Sequence, residues 1–114
     1  MSLLNFAKDV QGFNTFAAAF SDIKYSAKIA SSGNATITIP STGENWVISF
    51  SFQPGSNIWI AVNTTAAIPA GATFAITQSE LLPGARSVKS GDTINILNNG
   101  TTDADIGVVL YAIP

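Results

Sequence analysis

The chain has 114 residues, 46% of them hydrophobic and only 11% charged, with 5 Lys and Arg against 7 Asp and Glu and neither Cys nor His. Without Cys or His there is no disulfide framework, no thiolate nucleophile, no Cys- or His-based metal site and no imidazole for acid–base work. A net charge of −2 offers no basic patch for phosphates, so nucleic acid is not an expected partner, and no apolar run is long enough to make a membrane one.

The first 22 residues stand apart. Leu3, Phe6, Val10, Phe13, Ala17 and Phe20 recur at steps of three and four, the spacing of one helical stripe, with Phe16 beside it. Gly12, Asn14 and Thr15 weaken a helix. Residues 1–22 are therefore expected to form an apolar arm, helical or extended, packed on its own domain or on a neighbour.

Over residues 23–114 the period changes to two, the mark of strands with one buried face. Tyr25, Ala27 and Ile29 alternate with Ser26 and Lys28, and Ser31-Ser32-Gly33-Asn34 reads as a turn. In Ala35-Thr36-Ile37-Thr38-Ile39 the isoleucines point in and the threonines out, and Pro40 ends the run. Trp46, Ile48, Phe50 and Phe52 share a face up to the turn Gln53-Pro54-Gly55-Ser56, after which a hairpin partner is expected with Ile58, Ile60 and Val62 inward. Trp59 lies on the opposite face and needs a cover. Phe74 and Ile76 alternate as in a short strand, Leu81-Leu82-Pro83-Gly84 breaks the chain, and Lys89-Ser90-Gly91-Asp92 turns it before Ile94 and Ile96. A polar loop follows from Asn98 to Asp103. The last strand, from Ile106 to Ile113, is apolar on both faces, which suits the middle of a sheet.

About eight short antiparallel strands without a helix between them define an all-β fold, an antiparallel β-sandwich. A jelly roll is preferred to an immunoglobulin-type sandwich, whose antibody members carry a Cys pair that is missing here. For this mass the folded surface is expected near roughly 5,900 Å², against roughly 17,000 Å² unfolded, enough burial for a core without staples. So few charges imply a surface partly hidden by partners. The N-terminus lacks the basic and apolar regions of a secretory signal, so synthesis in the cytoplasm is expected.

Chemistry finds little support. Asp103 and Asp105 are close in sequence but do not face each other across a groove. The oxygen-rich stretch from Asn98 to Asp105 could attract calcium, yet it matches no EF-hand spacing and reads better as a turn using Asn and Asp side chains. Ser87 and Lys89 fall on the same side of one strand with no third group to orient them. The reading is of a non-enzyme with no cofactor and no metal. Trp46, Trp59, Tyr25 and Tyr111 could offer ring faces to a sugar, but Trp46 shares the face of Phe50 and Phe52 and belongs to the core, which leaves Trp59 as the better contact residue.

The run Phe50-Ser51-Phe52-Gln53-Pro54-Gly55-Ser56-Asn57-Ile58-Trp59-Ile60-Ala61-Val62-Asn63, with Ala67-Ile68-Pro69-Ala70-Gly71, Ser79-Glu80-Leu81-Leu82-Pro83-Gly84-Ala85-Arg86, Ser90-Gly91-Asp92-Thr93-Ile94 and Asp105-Ile106-Gly107-Val108, resembles small virion-associated β-proteins of tailed bacteriophages, the head decoration or cement class. The resemblance spans residues 46–113, rests on turns and strands, and leaves the arm uncovered. It implies a jelly-roll or sandwich subunit on the outer surface of an icosahedral capsid, a dimer or trimer that strengthens contacts of the major capsid protein in the virion. The candidate interface residues are Phe6, Phe13, Phe16, Phe20, Trp59 and Tyr111. The alternative is a carbohydrate- or receptor-binding module of a virion fibre or appendage.

Overall fold

The computed structural model describes residues 3–8, 10–11, 14–43 and 45–113, without the side chains of residues 14–16. Its strands in chain order are β1 Phe6–Lys8, β2 Asn14–Ala18, β3 Ile23–Ile29, β4 Asn34–Thr38, β5 Asn45–Phe52, β6 Ile58–Val62, β7 Ser79–Leu81, β8 Ala85–Lys89, β9 Thr93–Asn98 and β10 Ala104–Ile113. Among the described residues there is no helix.

Eight of these strands form two four-stranded antiparallel sheets, ordered β3-β10-β5-β8 and β4-β9-β6-β7. The expected all-β sandwich is therefore present. Period-two alternation carries it: along β10 every second residue, Ala104, Ile106, Val108, Leu110 and Ala112, is buried. The same rhythm buries Trp46, Ile48 and Phe50 on β5 and Ile94 and Ile96 on β9, and these side chains join in one core between the sheets. Each fully buried aliphatic side chain contributes about 1.5–3 kcal/mol, so a handful of them outweighs every surface ion pair. As its apolar faces suggested, β10 lies inside its sheet, between β3 and β5.

Pairing departs from the expected hairpin. Strands β5 and β6 are consecutive, yet β5 pairs with β10 and β8 while β6 pairs with β9 and β7. Residues 53–57 thus carry the chain from one sheet to the other, tied by Gln53 N–H to the Asp105 carbonyl at 3.1 Å and by Asn99 N–H to the Asn57 carbonyl at 2.9 Å. Both strands bury their alternating isoleucines and phenylalanines, but they do so from opposite sides of one core. Val62, expected inward, is exposed where β6 runs out of the core.

The consecutive strands β7 and β8 occupy the edges of the two sheets on one side of the sandwich. Arg86 Nη2 reaches Glu80 Oε1 at 2.8 Å across that side, and the guanidinium holds the Glu80 carboxyl below its ordinary range. On the other side the edges are β3 and β4. Asn98 fastens them at one end. Fully buried, it donates from Nδ2 to the carbonyls of Ile29 at 2.9 Å and Thr102 at 3.0 Å, and its Oδ1 accepts from Gly100 N–H at 2.9 Å. The loop read as a solvated turn is thus organised around a buried amide, which satisfies the buried Ile29 carbonyl and ties the loop backbone to it.

The arm is extended. Strands β1 and β2 pair antiparallel, with Phe6 opposite Ala18 and Lys8 opposite Asn14, in a two-stranded sheet of their own. The accessible surface of 7281 Å² exceeds the roughly 5,900 Å² of a compact chain of this mass. The radius of gyration of 15.7 Å likewise exceeds the about 13 Å expected for this length. Both excesses reflect segments that leave the sandwich.

Candidate functional site

Two segments leave the sandwich, and both are apolar. The first is the β1–β2 hairpin, whose two roots are held by consecutive residues of β10. On one side Leu4 N–H donates to the Ala112 carbonyl at 3.0 Å, with Leu3 bridged to Ala112. On the other, the Tyr111 hydroxyl donates to the Ala19 carbonyl, and the buried Ser21 hydroxyl donates to the Leu110 carbonyl and accepts from Ile23 N–H. At these roots and beyond them apolar side chains face water: Phe20 is 93% exposed, Val10 104%, and Phe6 and Leu3 are about half exposed. Lys24 Nζ lies 5.9 Å from the centre of the Phe20 ring, a cation–π distance.

The second segment is residues 63–78, which join β6 to β7. Asn63 begins it with a left-handed backbone, φ 59°. That unusual conformation is held by three bonds: its N–H to the Thr93 carbonyl, its Nδ2 to Asp92 Oδ1, and its Oδ1 from Thr93 N–H. Residues 64–67 then cross the outer face of the β4-β9-β6-β7 sheet, where Asn95 Nδ2 donates to the Thr64 carbonyl and Ala67 N–H donates to Ser79 Oγ. Asn95 and Ser79 flank Ala61 in register, which is why Ala61 is buried although it points away from the core.

Residues 68–77 form the outer wall of a recess of about 580 Å³ over Trp59. Trp59, half-buried between Leu97 and Leu81 in register, donates from Nε1 to Asn57 Oδ1 at 2.8 Å. The cover that Trp59 required is this segment. The strand expected around Phe74 and Ile76 is absent, because the neighbouring place beside β6 is taken by β7. Alternation fixes which side chains share a face, not whether a partner strand is free. Phe74 and Ile76 are left 105% and 104% exposed.

Of the residues singled out as interface, Phe6, Phe20 and Tyr111 come together at the hairpin and its root. Phe13 lies outside the described residues; Phe16 is in β2, with its side chain outside them as well. Trp59 stands on the outer face of the opposite sheet, away from the others. Val10, Ile68, Phe74 and Ile76, exposed on the same two segments, were not singled out, although the charge-free run from Asn63 to Gln78 was readable in the sequence.

The chemistry-bearing side chains are scattered. Asp105 pairs with Lys28 at 2.8 Å on the outer face of β10 and β3, and both side chains are well exposed. Asp103 is in the exposed loop beyond β9, and Ser87 and Lys89 share the outer face of β8, in register with Val47 and Asn45. Among the described residues no three acidic side chains gather as a metal site would require. Asp92 is committed to a turn: it accepts the Lys89 backbone N–H and the Asn63 amide, which hold its carboxyl below the ordinary range.

Comparison with known protein families, curated proteins and solved structures finds no match to this chain.

Proposed function

We propose that the protein is a non-enzymatic structural component of a phage virion, a capsid decoration or cement protein that binds the head shell as a homo-oligomer and stabilises it. The observation that carries this reading is the exposure of Phe20, Val10, Phe74 and Ile76 on two segments that leave a rigid, sparingly charged sandwich. Solitary exposed apolar residues are ordinary, whereas clusters on projecting segments mark surfaces that meet other proteins. Many identical copies docking by symmetry need such a domain, with arms that reach beyond it.

The same reading takes the domain as a jelly roll. The orders β3-β10-β5-β8 and β4-β9-β6-β7 are those obtained when two Greek keys are wound into one pair of sheets, an arrangement used by viral capsid subunits and by lectins.

The decisive experiment is thermal disruption of capsids with and without the purified protein. A higher disruption temperature with the protein bound supports the proposal, and no binding overturns it. A carbohydrate-binding reading draws on one observation, the recess over Trp59. Binding of soluble glycans that is lost in Trp59→Ala would favour that reading instead.

A further inference from the structure

On the side of the sandwich without an ion pair across it, β3 and β4 are the last strands of their sheets, and among the described residues nothing pairs with their outer edges. Between them lies an apolar groove of about 210 Å³ that reaches the core at Ile96 and Val108, flanked by Tyr25 and Ala27 on β3 and by Ala35 and Ile37 on β4. No charged side chain lines it. Free strand edges beside apolar pockets are templates for an added strand, whose backbone supplies affinity and whose alternate side chains fill the pockets.

The chain contains a segment with those properties. Ala72-Thr73-Phe74-Ala75-Ile76-Thr77 alternates as a strand does, carries no charge, and has no strand partner of its own. Phe74 and Ile76, two residues apart and both fully exposed, would enter the same face of a sheet. The groove is of the right size, since an apolar cavity of about 150 Å³ takes up a benzene molecule. In its own chain the segment lies away from the groove, beside Trp59. It departs from β6 and β7, and β7 is the edge of its sheet opposite β4.

We infer that residues 72–77 of one copy add as a strand to the free β4 edge of a second copy and seat Phe74 and Ile76 in the groove between β3 and β4. Because donor and acceptor lie on opposite sides of the molecule, two copies cannot exchange segments mutually. The contact runs head to tail, which builds a ring larger than a dimer where the rotation between copies closes and a filament where it does not. This inference rests on the assembly part of the proposed function and needs no capsid.

Two measurements on the full chain test it. In light scattering the wild type has a native mass that is a multiple of 11.8 kDa, and the double variant Phe74→Ala with Ile76→Ala falls to the mass of one copy with its circular dichroism unchanged. In the added strand Ala75 lies beside Thr36. The chain has no cysteine of its own, so Ala75→Cys and Thr36→Cys form a disulfide-linked pair when mixed and none when oxidised alone. An oligomer indifferent to the double variant overturns this contact and leaves the assembly reading standing. A wild type that stays monomeric at every concentration overturns both. Cross-linking of Thr36→Cys to Phe20→Cys would put the hairpin in the groove and overturn the assignment of residues 72–77.

Discussion

The Tyr111 hydroxyl donates to the carbonyl oxygen of Ala19, so that a central strand of the sandwich holds the returning root of the hairpin. Tyr111 lies on the outer face of β10, in register with Val47, and its ring therefore anchors the hairpin without entering the core. Tyr111→Phe keeps the ring and loses the bond. An ordinary hydrogen bond contributes about 0.5–1.5 kcal/mol, and that loss is expected to fall on the hairpin alone. Hydrogen exchange of residues 14–18 should accelerate while the core amides of β10 keep their protection.

Deleting the first 20 residues is the stronger form of the same experiment. It removes β1, β2 and the Tyr111 partner but keeps Ser21 and all eight sandwich strands. The truncated chain should fold with its sheets intact and fail to decorate capsids. Unfolding or aggregation of the truncated chain would mean that the hairpin belongs to the core.

Asn98 gives the steepest expected loss outside the apolar core. Asn98→Leu strands the Ile29 and Thr102 carbonyls and the Gly100 N–H. At about 1–3 kcal/mol for a buried group left without a partner, the variant should lose at least about 1 kcal/mol in urea unfolding, chiefly through the buried bond to the Ile29 carbonyl. A loss below about 1 kcal/mol would mean that water replaces the amide.

Neighbouring residues on β10 should differ sharply. Leu110 is fully buried, and Leu110→Ala should cost about 2–5 kcal/mol through lost burial and the cavity left behind. Val109 points to the outer face between Lys24 and Ser49, and Val109→Ala should cost less than about 1 kcal/mol. Equal costs at the two positions would contradict the assigned faces.

On the acid side, stability should fall with pH. Asp92 and Glu80 have folded-state pKa values held below their ordinary ones, Asp92 by the Lys89 N–H and the Asn63 amide and Glu80 by Arg86. A depressed value means the native state favours the charged form. The stability from these groups is present above the unfolded values of about 3.9 and 4.3 and is lost as pH falls through the folded ones. With no His or Cys in the chain, the melting temperature should be level from roughly pH 5 to 8 and fall below about pH 4. Asp92→Asn should flatten that acid limb; an unchanged slope would show that the turn does not depend on the carboxylate.

Strand faces were legible in the sequence because burial in a sandwich imposes a period of two, and Ile37, Trp46, Ile94 and Leu110 all lie on the faces so read. Pairing was not legible. Nothing in the turn Gln53-Pro54-Gly55-Ser56 distinguishes a hairpin from a crossing between sheets, since both bring two apolar faces onto one core. The spacing of Leu3, Phe6 and Val10 fits a helical stripe, but Phe16, Ala18 and Phe20 are also spaced by two, and β pairing prevailed in Phe6–Lys8 and Asn14–Ala18. The strand β7, only three residues long, is too short for any period to register. Asn98 was hidden by its company: in a run of Asn, Gly and Thr, nothing marks the one amide that the fold encloses.

The central place of β10 has a consequence for biosynthesis. Its neighbours β3 and β5 do not pair with each other, and β10 leaves the ribosome after the nine described strands that precede it. Until it emerges, Trp46, Ile48 and Phe50 have no strand on one flank, β3 has no sheet to join, and the hairpin has no anchor at Leu110 to Ala112. Half the sandwich must wait for its keystone, and long-range pairing of this kind is slow to form. During that interval the unfinished chain exposes open apolar edges, the state in which nascent β-proteins most depend on chaperones.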